Sequence, residues 1–267
     1  MKKKLIILTG PTAVGKTDLS IRLARTVGGE IISADSMQVY RRMDIGTAKI
    51  RPEEMEGVRH HLIDILEPTE SFNAFLFKEY ALKAANEIWE RGCIPIIVGG
   101  TGFYIQTLLY DIEFAKSDEN DGIRDELNKL YEEHGAAFLH DMLAKADPEY
   151  AAEVHENNVK KVIRAIEFYR QTGHKLSEHN TEQRERTSPY NFEYFVLSDD
   201  RAVLYERIDK RIDKMVEAGL IAEVQALLDE GVDRESVAMQ GLGYKEIASY
   251  LAGEISLDEA IYILKRD

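Results

Sequence analysis

Cysteine is almost missing from this chain. Cys93 is the only one in 267 residues, so no internal disulfide can form, and a reducing, cytoplasmic setting is expected. Long apolar runs are missing too. None approaches the ~18 residues that a membrane helix needs, so no membrane span is expected. The start MKKKLIILTGP has the layout of a signal peptide, charges before an apolar stretch. That stretch is short and runs into Gly10-Pro11, which reads better as a buried first strand and its turn. There is no internal repeat and no low-complexity tract, which excludes repeat architectures. Positive charge is scarce: 34 Lys and Arg face 48 Asp and Glu, a net charge of −14. This disfavours nonspecific nucleic-acid binding by the molecule as a whole but leaves room for a local basic surface. Apolar residues are plentiful at 44%, enough for a packed core.

Period and punctuation divide the chain. Leu5 to Thr9 is a short apolar run, read as a strand. Leu19, Leu23 and Val27 have the spacing of a helix face. EIISAD reads as a second strand ending at Asp35, and HLIDIL as a third. FLFKEYALKAANEIWERG is an amphipathic helix closed by Gly92, and IPIIVGGTG is a strand ending in a glycine turn. Trp89, Phe72, Phe75 and Phe77 look like core. Strands alternating with helices predict a parallel sheet flanked by helices, the P-loop NTPase-like type of α/β fold. Beyond the polar stretch EFAKSDENDG every usable pattern is helical until Leu176. YFVLSDD then reads as a last strand, followed by one long helix from Arg201 to about Leu228. The expected organisation is an α/β core of residues 1–112 and 188–267, with an inserted all-helical domain at 113–187.

Gly10-Pro11-Thr12-Ala13-Val14-Gly15-Lys16-Thr17 fits the phosphate-loop pattern G-x-x-x-x-G-K-[ST] between a predicted strand and a predicted helix. Glycines let backbone amides turn inward as an anion nest, and the helix start adds its positive dipole end. Lys16 supplies a point charge to the outer phosphate, and the Thr17 hydroxyl suits Mg²⁺. The pattern specifies a polyphosphate; it does not specify ATP or a kinase.

Asp35, Ser36 and Gln38 follow the second strand, and in a parallel sheet that end lies beside the phosphate loop. Asp35 can take a proton from a nucleophile attacking near the phosphate, or it can simply cap a turn. GGTGFY ends another strand on the same edge, where Thr101 either presents a hydroxyl or sits in a tight turn. His60-His61 lacks partners for a ligand set and is read as structural. In NNVKKVIRAIEFYR, Val159, Val162, Ile163 and Ile166 form a buried stripe, with Lys160, Lys161 and Arg164 off it. That basic edge is either an RNA-tracking surface or a solvated helix face. Arg207 and Arg211 are like charges one helical turn apart. Such a pair costs about 0.2–0.5 kcal/mol unless an anion lies between them or neighbouring Glu206 and Asp209 relieve it.

Taken together, the segments GPTAVGKT, GEIISADSMQVYRRMDIGTAK, HHLIDIL, GGTGFY, VKKVIRAIEFY, ERIDKRIDKMVEAGLIAEV and AMQGLGYKEI resemble the bacterial tRNA dimethylallyltransferases. They run in family order and spacing from residue 5 onward. The resemblance implies transfer of a dimethylallyl group from dimethylallyl diphosphate to the exocyclic amine of the adenine 3′ of the anticodon, releasing pyrophosphate. It makes Gly10, Pro11, Thr12, Ala13, Val14, Gly15, Lys16 and Thr17 the diphosphate cradle, with Thr17 on Mg²⁺. Asp35 becomes the general base, with Lys16, Thr101, Arg207 and Arg211 completing the catalytic set. Asp35, Ser36, Met37 and Gln38 form the segment that meets the flipped adenine, and Thr101 lines the reaction channel on the tRNA side. Arg124, Lys160, Lys161, Val162, Ile163 and Arg164 meet the tRNA anticodon stem-loop. A cytoplasmic monomer is expected. Two small departures are Phe103 where the family has Leu and Val14 where Ser is common. Family members also continue past YILKRD with a basic, aromatic helical segment, so the expectation is that −14 overstates the acidity of the whole protein. The alternative is a small-molecule ATP kinase on the same fold, which leaves the basic insertion without a task.

Overall fold

The computed structural model describes residues 2–114 and 122–266. In chain order the first elements are β1 (Lys4–Thr9), α1 (Lys16–Val27), β2 (Gly29–Ser33), β3 (His60–His61), α2 (Ala74–Glu90), β4 (Ile94–Gly99) and α3 (Gly102–Leu109). Four helices follow: α4 (Ile123–Ala146), α5 (Pro148–Glu153), α6 (Val159–Thr172) and α7 (Leu176–Glu185). The chain ends with β5 (Asn191–Val196), α8 (Arg201–Glu217), α9 (Leu220–Asp229), α10 (Tyr244–Leu251) and α11 (Leu257–Arg266). Two compact units result, one of residues 1–109 with 189–267 and one of residues 110–188.

The first unit is built on a parallel sheet of order β3-β2-β4-β1-β5. Leu5, Ile7, Leu8, Ile31, Ile32, Ile96 and Ile97 are all buried, as strands covered on both faces require. The register pairs Thr9 with both Gly99 and Val196, and Ser33 with Val98. Four strands therefore finish at the same level, and the turns that follow them share one edge. Thr9 Oγ1 donates to the Gly99 carbonyl at 2.8 Å and ties the two central turns together.

Three expectations are corrected in this unit. HLIDIL does not form a full strand: only His60 and His61 pair with β2, because Leu62 (φ 64°) and Asp64 (φ 54°) turn left-handed. The helix expected from Arg201 to about Leu228 is two helices, divided at Gly219, whose φ of 107° has no place inside a helix. Phe72 and Phe77 are core, but Phe75 is exposed on α2 and Trp89 is half-buried, its indole N–H donating to the Lys4 carbonyl.

The second unit is all helical among its described residues. Its core joins Leu127, Leu139 and Leu143 of α4 to Val162, Ala165 and Ile166 of α6. α4 kinks at Gly135 (φ 81°, ψ 179°). Asp147 is fully buried yet satisfied: it caps α5 through Tyr150 N and accepts from both the amide and hydroxyl of Ser177 at the start of α7.

Candidate active site

The loop from Gly10 to Thr17 leaves β1 and enters α1, as its pattern predicts. Gly10 has φ 150°, and a Cβ there would lie 2.6 Å from the Leu197 carbonyl oxygen, so only glycine fits beside the exit of β5. Ala13 (φ 63°) and Gly15 (φ 92°) complete the inward turn of the amides. Lys16 Nζ donates to the carbonyls of Gly10 and Pro11, each at 2.7 Å. Burial lowers the pKa of this ammonium; the Asp35 charge opposes that shift and Arg211 adds to it.

Beside the loop lies an open cleft. Its lining mixes polar side chains, Lys16, Thr17, Ser33, Asp35, Gln38 and His60, with the aliphatic Ile31, Ile50, Ile63 and Val98. Asp35 makes the turn and also lines the cleft. Its Oδ1 accepts from the amides of Met37 (2.8 Å) and Gln38 (3.2 Å), an Asx turn. Its Oδ2 takes no hydrogen bond within the described residues, and the side chain lines the cleft near enough to Lys16 for their charges to interact. Gln38 is fixed at both ends of its amide: Oε1 faces the Ser33 hydroxyl at 3.4 Å, and Nε2 donates to the Thr47 carbonyl at 3.2 Å.

α8 presents its arginines to this site at different depths. Arg207 Nη1 approaches the Ala13 carbonyl of the phosphate loop at 3.5 Å and is paired with Asp199 Oδ2 at 2.9 Å. Arg211 is more buried and its Nη2 approaches the Thr47 carbonyl at 3.5 Å. Burial lowers the pKa of its guanidinium while the Asp35 charge pulls it back up. Arg207 is paired with Asp199, while Glu206 is paired with Lys210 and also feels the Arg207 charge.

Thr101 stands apart from the cleft lining. It is half-buried at the start of α3, where its carbonyl accepts from Ile105 N. Tyr104, three residues on, is near enough to feel Asp35: burial raises its phenol pKa and the carboxylate raises it further. Ser36 and Met37 are half-buried in the turn after Asp35. In the helical unit Lys160, Lys161 and Arg164 are exposed on α6. Arg124 is exposed and paired with Glu167. Val162 and Ile163 are corrected: at 0% and 6% exposure they belong to the helical core, and their side chains cannot reach RNA.

Sequence reading missed Ser33 and His60 in the cleft and Asp199 against Arg207. His60 is placed by β3, and its Nδ1 bonds the Val58 carbonyl at 2.9 Å, which makes Nδ1 the protonated nitrogen. Burial lowers its pKa, keeping it neutral. His61 points instead to Glu30, 2.7 Å away. No residue spacing announces these positions; the pairing of β3 with β2 creates them.

A phosphate loop after an interior strand of a parallel sheet, faced by a carboxylate and two arginines, defines a P-loop fold that binds a di- or polyphosphate. The model of the IPP transferase family matches residues 38–267, and that of isopentenyl transferases matches residues 3–72. The chain is 59% identical over 263 residues to the tRNA dimethylallyltransferase of Lachnoclostridium phytofermentans, covering 98% of this chain and 84% of that one. It is 52% identical to the enzyme of that name from Carboxydothermus hydrogenoformans, covering 100% of this chain and 86% of that one. The crystal structure of the full-length tRNA isopentenylpyrophosphate transferase from Bacillus halodurans superposes with a TM-score of 0.73 at 47% identity, covering 99% of this chain and 82% of that one. A eukaryotic dimethylallyltransferase acting on tRNA gives 0.87 at 33% identity, over 99% of this chain and 66% of that one. The chain belongs to the tRNA dimethylallyltransferase family, a family of prenyl-transferring enzymes.

Proposed function

We propose that this chain transfers a dimethylallyl group from dimethylallyl diphosphate to the exocyclic amine of the adenine 3′ of a tRNA anticodon, releasing pyrophosphate. The observation that carries this reading is the mixed lining of the cleft beside the phosphate loop, where Lys16, Thr17 and Asp35 meet four aliphatic side chains. A diphosphate carrying a short hydrocarbon tail suits such a lining. A kinase reading is not favoured, because the relatives similar to this chain over nearly its whole length are named tRNA dimethylallyltransferases.

Lys16 and the loop amides oppose the charge that grows on the departing pyrophosphate. Arg207, beside Ala13, and Arg211, beside Thr47, approach the same anion from α8. Asp35 Oδ2 accepts the proton that the amine loses. The Thr17 hydroxyl is a hard oxygen donor that would fit Mg²⁺, an ion content to take its remaining ligands from phosphate and water. When bound, the ion supplies further charge to the leaving group. The exposed Lys160, Lys161 and Arg164 of α6 grip the anticodon stem-loop, with Arg124 beside them. Extruding one base from a single-stranded loop costs a few kcal/mol. The enzyme works in the cytoplasm, where its RNA substrate is; among the described residues no helix is long and apolar enough to cross a membrane.

The test is a double assay. The chain is incubated with labelled dimethylallyl diphosphate and unmodified tRNA, and separately with ATP and candidate metabolites. Label in the tRNA with no ADP formed is expected. ADP formation with no label in RNA would replace this reading with the kinase one.

A further inference from the structure

The segment AMQGLGYKEI contributes no side chain to the cleft lining, yet it packs behind a loop that does shape the site. The loop is Asp44 to Thr47. Glu223, half-buried on α9, reaches it with both carboxylate oxygens. Oε2 accepts from the amides of Asp44 (2.9 Å) and Ile45 (2.8 Å), and Oε1 accepts from Gly46 N (3.1 Å) and from the Tyr244 hydroxyl (2.5 Å). Successive amides converging on one anion form a nest, occupied here by a side chain distant in sequence. Four donors on two oxygens suit only the carboxylate form. Tyr244 is fully buried, and burial with the Glu223 charge raises its phenol pKa far above the usual range, so it stays a donor. Gly46 makes room for it: a Cβ there would lie 2.6 Å from the Tyr244 ring. Gly241 does the same for Met37, whose sulfur lies 2.5 Å from where a Cβ would stand.

The loop is also held from within. Lys49, its side chain only 4% exposed, donates to the Tyr40 carbonyl and pairs with Asp44 and Asp64. What this double grip delivers is the Thr47 carbonyl, which accepts from Gln38 and faces Arg211.

We propose that Glu223 and Tyr244 are positioning residues: by filling the nest of Asp44, Ile45 and Gly46 they fix the Thr47 carbonyl, and with it Gln38 and Arg211, at the cleft. Neither touches the reacting atoms. The catalytic part of this proposal rests on the transfer reaction proposed above; the structural part does not.

The experiment compares the unaltered chain with Glu223→Gln, whose amide brings a donor into a nest of donors. Glu223→Gln is expected to lower kcat for transfer about tenfold or more, as a displaced site group does. The Kd for dimethylallyl diphosphate stays within about threefold, because the phosphate loop is intact. Hydrogen exchange at the amides of Asp44, Ile45 and Gly46 is expected to quicken at least about tenfold while exchange in α1 is unchanged. An unchanged kcat, unchanged exchange at those amides, or equal loosening of α1 would each overturn the proposal. If Glu223→Gln does not fold, Tyr244→Phe decides: it keeps the ring and removes one donor, for an expected fall in kcat of about threefold. No fall would overturn the proposal. Should the unaltered chain transfer nothing to tRNA, the proposed function fails, while exchange at Asp44 to Gly46 still decides whether the nest is locked by Glu223.

Discussion

Asp35 has one oxygen in a turn and one facing a cleft, and the two can be separated by substitution. Asparagine keeps an Oδ1 acceptor for the Met37 and Gln38 amides but loses the basic oxygen. Asp35→Asn is therefore expected to hold the turn and the melting temperature while transfer falls about 10²-fold or more, the scale of a lost general base. Binding of dimethylallyl diphosphate should be nearly intact. Single-turnover labelling of tRNA beside a diphosphate titration checks both halves. Loss of diphosphate binding instead would make Asp35 a structural or metal residue. Residue identity alone could not separate these roles, because a short carboxylate after a strand serves either one. The structure adds that only one of the two oxygens is engaged in the turn.

Elements carry charge in patterns that single residues do not. α6 buries Val162, Ile163 and Ile166 and leaves Lys160, Lys161 and Arg164 on its open face. The period of the sequence predicted that division. The fault lay in reading a contiguous run as a single contact surface, when neighbours in a helix face different ways. Replacing both Lys160 and Lys161 with alanine is expected to weaken tRNA binding and to flatten its salt dependence. The slope of log K against log salt should fall by roughly 1.5 if each lysine neutralises one phosphate. Filter binding of tRNA across a salt series measures this, and an unchanged slope would move the RNA surface elsewhere. In α8 the helical period likewise put Arg207 and Arg211 on one face, yet nothing in that period distinguishes them. The neighbours do: Asp199 and the phosphate loop for Arg207, the Thr47 carbonyl for Arg211.

At the scale of the molecule, stability depends on a charge cluster away from the cleft lining. Glu30 on β2 is 8% exposed and accepts two bonds from Arg91, just past α2, and one from His61 on β3. The Arg91 fork, more than any other group, holds its carboxyl at about 2; burial opposes the shift and His61 adds to it. The folded-state pKa lies below the unfolded one, so the stabilisation is full above about pH 4.5 and is lost as pH falls toward 2. Glu30→Gln is expected to cost about 2 kcal/mol at pH 7, discounted for the partly exposed Arg91. That difference should shrink toward zero between about pH 4.5 and pH 2. Urea unfolding of both chains across that range tests it. Net charge works at this scale too: −14 spread over the chain coexists with the exposed basic face of α6, because binding responds to the local field within about 10 Å.

The sequence by itself determined the parallel α/β fold, the phosphate loop with Lys16 and Thr17, and the helical character of the segment before Leu176. Each depends on local rules, the strand and helix periods and the glycine pattern, which act over a few residues. It also placed Asp35 at the right sheet edge, since alternation with helices makes the strands parallel and brings their carboxyl ends together. Tertiary structure alone decided the rest. His60 reaches the cleft only because β3 pairs with β2, and Arg207 is paired only because Asp199 folds against it. Glu223 finds the amides of Asp44, Ile45 and Gly46 across more than half the chain. Contacts of that kind depend on where two distant segments meet, and no local period or propensity encodes that meeting.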